Sequence, residues 1–231
     1  MNILCLDSSG YLLKTGLFSK GTMLAETARE SNGNHSAMII LQVQKILKDA
    51  GKELNDLDLL AVNLGPGSFT GLRIGLAAMA GLGYARSIRL TGSSAFEIMA
   101  RDIRPLNGRF MALIHCRGEE FYSAGYYAHD GQVEFLGEYK IVNPKKMLKP
   151  ENDLTLVGPG GEEFYSLAGN DLKRCFKTAP DLADIPSLRS LAEISLEKAE
   201  DRKFDGRSLP ELFYLSPSQA EVNYARKKGI D

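Results

Sequence analysis

The residues most able to do chemistry sit in four short turns. In "CLDSSG" (5–10), Asp7, Ser8 and Ser9 follow an apolar run. There an aspartate suits water-mediated Mg²⁺ binding, with serine hydroxyls near a phosphate. The same three residues equally favour an Asx or Ser turn that only shapes the chain. "GPGSFTG" (65–71) offers Gly67 and Ser68 where N–H groups at a helix start could receive an anion. Here too a structural reading stands beside the chemical one, with Ser68 or Thr70 simply capping the helix. A Walker loop needs lysine after its last glycine, but Gly71 is followed by Leu72 and Arg73. GxGxxG fails because Thr70 occupies the third glycine position, and Pro66 removes a backbone donor. Two further turns, "HCRGEE" (115–120) and "GPGGEE" (158–163), complete the set.

These turns bound what the chain can do. The counterpart of Asp7 in the second half is His115, so no facing carboxylate pair is available for acid–base work. Cys116 beside His115 reads as structural, and "GPGGEE" as a strand-to-helix joint. His35, His115 and His129 form no HxxxH pair and no CxxC occurs, which speaks against a protein-built transition-metal site. Three scattered cysteines suit a reducing cytoplasm. The formal net charge of −1 gives no footprint for autonomous nucleic-acid binding. Its one noted basic run, "ARKKG" (225–229), reads as a solvated end. With no apolar run of about 18 residues and no leader-like start, neither a membrane span nor a signal peptide is expected.

The turns need elements to position them. Residues 2–6, 11–18 and 22–28 read as strands, and 35–50 as a helix with Asn34 as N-cap and Gly51 at its C-terminal end. A buried strand (58–65), a helix (~68–85), a strand (88–94) and a helix (94–103) follow, then the linker "PLNG" (105–108). The second half opens with strands at 109–116, 119–128 and 133–142. It continues with a strand at 153–160 and helices at 161–168 and 186–201. The expectation is an α/β chain of two duplicated βββαβα-type halves, residues 1–104 and 105–231.

The helix at 68–85 carries Gly71, Gly75, Gly81 and Gly83. Four helical glycines cost roughly 3 kcal/mol against alanine, a sizeable part of a domain's ~5–15 kcal/mol. At about 100° per residue, Leu72, Leu76 and Met79 gather on one face. Ile74, Ala77, Ala78, Gly81 and Ala85 form a smooth face opposite. A sheet covers one side of such a helix only, so the smooth side needs a second cover. On the helix at 35–50, Ile39, Val43, Ile46 and Ala50 make the core stripe, and Met38 and Leu41 lie on a leftover flank. Either these flanks meet another protein or the chain's own packing hides them. The glycines read as a packing device more than a phosphate cradle.

"ILCLDSS", "NHSAMIILQVQKIL" and above all "GPGSFTGLRIG" (65–75) resemble the bacterial TsaB proteins, formerly called YeaZ, and "LFYLSPSQAE" (212–221) is similar to that family's C-terminal signature. The glycine motif is shared in part with the paralogous TsaD family, from which the shorter length and missing HxxxH separate this chain. The resemblance implies an actin-like, sugar-kinase-like ATPase fold without catalysis of its own. It implies pairing with TsaD, recruitment of the small ATPase TsaE, and transfer of threonylcarbamoyl to the adenosine beside the tRNA anticodon. Homodimerisation is implied when TsaD is absent, with tRNA met only through the complex. Both pairings would use the first two helices, which here offer His35, Met38, Leu41, Gly71, Ile74, Gly75, Ala78 and Gly81. No cofactor is required, and ATP with Mg²⁺ would bind only weakly, or at the interface with partners, through Asp7, Ser8, Ser9, Gly67 and Ser68. Where family members often read Asp-Ala-Arg, this chain has His115-Cys116-Arg117. The competing expectation is a stand-alone ATP-dependent kinase or hydrolase of the same fold.

Overall fold

The structure, a computed structural model, describes residues 1–30, 35–179, 182, 185–201, 203–217, 224 and 228. Asn34 and most of the basic run at 225–229 lie outside the described residues, as does the side chain of His35.

The first sheet has five strands: β1 (Asn2–Asp7), β2 (Leu12–Ser19), β3 (Thr22–Glu30), β4 (Leu59–Asn63) and β5 (Arg89–Ser93), in the order β3-β2-β1-β4-β5. The first three form an antiparallel meander, with Asp7 opposite Lys14 in the β1–β2 register. β4 then joins β1 in parallel, which requires a crossover, supplied by α1 (His35–Asp49). β4 and β5 are parallel across α2 (Phe69–Arg86). β1 and β4, covered on both faces, are continuous apolar runs. β3 closes an edge and keeps charges there (Glu26, Arg29, Glu30).

Strand alternation sends Leu4 and Leu6 to one face of this sheet, against Ile39, Val43 and Ile46 of α1 and Leu76 and Met79 of α2. Ile3, Cys5, Phe18, Leu59 and Ala61 point to the opposite face. They are covered by Leu188, Leu191, Ala192 and Ile194 of α6 (Leu188–Glu200), a helix from the far end of the chain.

The second sheet repeats the plan. β6 (Gly108–Arg117), β7 (Glu120–His129), β8 (Gln132–Phe135), β9 (Lys140–Val142), β10 (Leu154–Val157) and β11 (Phe176–Thr178) run β11-β10-β6-β7-β8, with β9 also on β7. One face packs Phe110, Ala112 and Tyr126 on Phe96, Met99 and Ile103, which extend α3 (Ala95–Asp102) from the first half. The other packs Leu113 and Phe121 on Phe164 of α4 (Gly161–Leu167). The two sheets therefore exchange helices: α3 covers the second and α6 the first.

The structure refines three expectations. The strand expected at 133–142 is divided into β8 and β9 by a turn with Gly137 at φ +119°, where a glycine alone sits without strain. A short helix, α5 (Asn170–Lys173), and β11 are additional, each too brief for a periodic signal. No helix stands between β9 and β10, the place matching α1. Pro144 and Pro150 in that stretch disfavour a helix interior.

Asp102, at the end of α3, ties the exchanged helices together. Its carboxylate accepts from Ser187 N (2.9 Å), Ser187 Oγ (2.5 Å) and Ser190 Oγ (2.6 Å) at the start of α6. Burial pushes the Asp102 carboxyl above its ordinary 3.8, opposed by those bonds and by the charge of Lys14. A raised carboxyl binds its proton more tightly in the fold than unfolded. Its contribution is thus full below the ordinary value and fades as pH rises through the raised one. We expect Asp102→Ala to destabilise more near pH 4 than near pH 7 in urea titrations. A cost growing toward pH 7 would contradict this.

Candidate functional site

The β1–β2 turn and the β4–α2 loop are knitted into one unit. Asp7 Oδ1 accepts from Ser9 N (2.8 Å) and Ser9 Oγ (2.6 Å), closing an Asx turn. Asn63 Nδ2 donates to Ser9 Oγ (3.1 Å), and Asn63 Oδ1 accepts from Gly65 N (2.9 Å). Ser68 N donates to Ser9 O (2.7 Å), and Ser8 Oγ donates to Gly71 O (2.9 Å). Ser68 caps α2, its hydroxyl accepting from Gly71 N (3.2 Å).

This unit explains three of the glycines. A Cβ on Gly67 would fall on the Ser9 carbonyl, one on Gly71 on the Ser8 carbonyl, and one on Gly75 on the Ser8 hydroxyl. The first turns of α2 are bare so that the β1–β2 turn can lie directly on them. Gly71 and Gly75 were expected on a partner-facing surface and instead are buried inside their own fold. Gly81 is different: it is exposed, and a Cβ there would meet nothing within 4 Å among the described residues.

Between the halves lies a cleft of about 630 Å³. The first half lines it with Ser9, Gly67 and Ser68, and the second with His115 and Tyr122. Asp7 and Ser8 do not line it; they are buried, with Asp7 Oδ1 and the Ser8 hydroxyl engaged in the loop unit. His115 Nε2 lies 3.0 Å from Gly118 O and 4.0 Å from Glu163 Oε1. Burial, then the hydrogen bond with Cys116, pushes the Tyr122 phenol up, so it stays protonated at neutral pH. No group of three His, Cys, Asp or Glu placed to hold a metal occurs among the described residues.

A strap at 212–217 joins the two halves, and its Tyr214, Ser216 and Pro217 line this cleft. Phe213 N donates to Leu64 O (2.8 Å) in the first half. Tyr122 Oη and Ser216 Oγ are 2.7 Å apart in the second. Tyr214 reaches α2, its ring 5.0 Å from that of Phe69 and its hydroxyl accepting from Arg73 Nε (3.1 Å). Sequence reasoning did not pair Arg73 with Tyr214, because 141 positions separate them.

The second candidate surface is the outer side of α1 and α2, which lie together over the first sheet. Ile40 (40% exposed), Leu41 (64%) and Tyr84 (94%) are large apolar or aromatic side chains left open there. Along α2 the exposed positions are Thr70, Arg73, Ala77, Gly81, Tyr84, Ala85 and Arg86. Ile74, Ala78 and Met38 are half-buried, packed against the core beneath.

Two sheets of order 3-2-1-4-5 type, facing one cleft across their β1 and β6 turns, define the actin-like ATPase fold. A family model described as "TsaD: tRNA N6-adenosine threonylcarbamoyltransferase" matches residues 26–192. The chain is 34% identical over 178 residues to the tRNA threonylcarbamoyladenosine biosynthesis protein TsaB of Escherichia coli, covering 72% of this chain and 75% of that one. It is 31% identical to the same-named protein of Haemophilus influenzae, with 84% and 85% covered. The match to TsaB of Bacillus subtilis, at 31% identity, spans 58% of each chain. The solved structure of YeaZ from Pseudomonas aeruginosa superposes with TM-score 0.72 at 22% identity, over 93% of this chain and 99% of that one. The chain belongs to the TsaB (YeaZ) family. No described helix is long and apolar enough to cross a membrane.

Proposed function

We propose that the protein is a non-catalytic subunit in the biosynthesis of threonylcarbamoyladenosine in tRNA. It pairs with a TsaD-type threonylcarbamoyltransferase through the outer face of α1 and α2 and, with it, receives a TsaE-type ATPase. Alone, the same face pairs two copies. The reading asks no resident cofactor of the cleft: beside it the Ser8 hydroxyl bonds the Gly71 carbonyl, and the Ser9 hydroxyl bonds Asp7 Oδ1.

The observation that carries this reading is Gly81. A mid-helix glycine costs about 0.8–1.0 kcal/mol, and among the described residues nothing lies within 4 Å of where a Cβ would go. One turn further along α2 stands exposed Tyr84, and α1, which packs against α2, leaves Leu41 exposed. A close-lying helix accounts for all three.

The test is Ala77→Arg, at an exposed position of α2. We expect stability within about 0.5 kcal/mol of the parent, and affinity for the TsaD-family protein of the same cell weakened at least about tenfold, or ~1.4 kcal/mol. Unchanged co-purification and affinity would overturn the reading. ATP turnover by the isolated chain that vanishes in Asp7→Ala would favour the kinase or hydrolase alternative.

A further inference from the structure

Arg73 is the only charged residue between Thr70 and Ala85, and it stands at the exposed side of α2. Its guanidinium carbon lies 3.8 Å above the centre of the Phe69 ring and 5.9 Å from that of Tyr214. Nε donates to Tyr214 Oη. A free arginine holds about 2 kcal/mol of rotamer entropy; this one is already fixed by a ring below and a hydrogen bond at one edge. No carboxylate among the described residues lies within ion-pair distance of it.

With Nε engaged, the edge still on offer is the end-on pair, Nη1 and Nη2. Two parallel N–H donors at that edge match the two oxygens of a carboxylate. The surroundings select the kind of anion. A nucleic-acid backbone is held by several cations at once, whereas Arg73 is the one charged residue of a hollow it shares with Phe69, Tyr214, Leu215, Ser216 and Pro217. One cation among uncharged neighbours suits one acid on an otherwise uncharged helix face.

We infer that Arg73, set by Phe69 and Tyr214, receives an aspartate or glutamate side chain of the protein that covers α1 and α2, and so fixes the register of that pairing. The inference rests on the proposed use of this face and adds the partner's chemistry to it. Because Tyr214 belongs to the strap that joins the two halves, the same contact links the strap to the pairing surface.

The experiment measures affinity between the chain and the TsaD-family protein of the same cell, and capture of tRNA by the assembled pair, at low and high salt, for parent, Arg73→Met, Arg73→Lys, Arg73→Glu, Tyr214→Phe and Ala77→Arg. Arg73→Met should weaken binding about 10- to 30-fold at low salt and less at high salt. Arg73→Lys should recover little, since a lysine offers no paired edge. Tyr214→Phe should weaken binding several-fold with the fold intact by circular dichroism. Arg73→Glu should be rescued by an acid-to-arginine change on the partner. If Ala77→Arg abolishes pairing while Arg73→Met leaves it unaltered, the role of Arg73 is overturned and the surface stands. If neither matters, the surface itself is wrong. If Arg73→Met weakens only capture of tRNA by the assembled pair, the anion is a phosphate and the inference fails.

Discussion

Gly71→Ala will destabilise the protein by about 2 kcal/mol or more, although alanine is the better helix former. The gain in helix propensity is about 1 kcal/mol. Against it stands a Cβ placed on the Ser8 carbonyl oxygen, an overpacking cost at the upper end of about 1–3 kcal/mol. The obstacle is backbone, so no rotamer change relieves it. Gly75→Ala meets a side-chain obstacle, the Ser8 hydroxyl, and Ser8→Ala removes that atom. The double variant Ser8→Ala/Gly75→Ala should therefore recover much of the loss, and Ser8→Ala/Gly71→Ala little. Gly81→Ala, with open space around it, should stabilise by up to about 1 kcal/mol. Urea midpoints read all five, and a common sign for Gly71→Ala and Gly81→Ala would refute the account.

Phe96→Ala should cost about 3–5 kcal/mol, a fifth or more of a stability of ~5–15 kcal/mol. The side chain is wholly buried (0% exposed) and stacks on Tyr139 at 5.3 Å, while its carbonyl accepts from the buried Tyr126 hydroxyl (3.1 Å). The residue belongs to the first half by sequence and to the second by packing. We expect both sheets to lose hydrogen-exchange protection together in this variant, in one cooperative transition. Loss confined to β6–β7 would show that the halves are separable.

Much of this fold was legible because its signals are local. The apolar runs of β1 and β4 between turn residues, and the serine at the start of α2, are short-range patterns that residue chemistry decides. The Asx turn at Asp7 was one of two readings open at that loop. The inward glycines were half legible. Gly75 lies three positions beyond Leu72, about 60° round the helix, and so beside Leu72 and Met79. Treating the four glycines as one class hid that two face the β1–β2 turn and one faces outward. The exchange of α3 and α6 was not legible, since an amphipathic stripe names the buried face and not the sheet that buries it. Nor was the Arg73–Tyr214 contact, which depends on the return path of the chain.

The exchange of helices also sets an order of events at the ribosome. The first sheet is fully synthesised once Ser93 emerges, yet Ile3, Cys5, Phe18, Leu59 and Ala61 await a helix that ends at Glu200. At about 5–20 residues per second, that leaves an apolar sheet face bare for roughly 5–20 s of translation. During that interval the nascent chain is a natural client for a chaperone, and slowed elongation downstream of Ser93 would lengthen its exposure to aggregation.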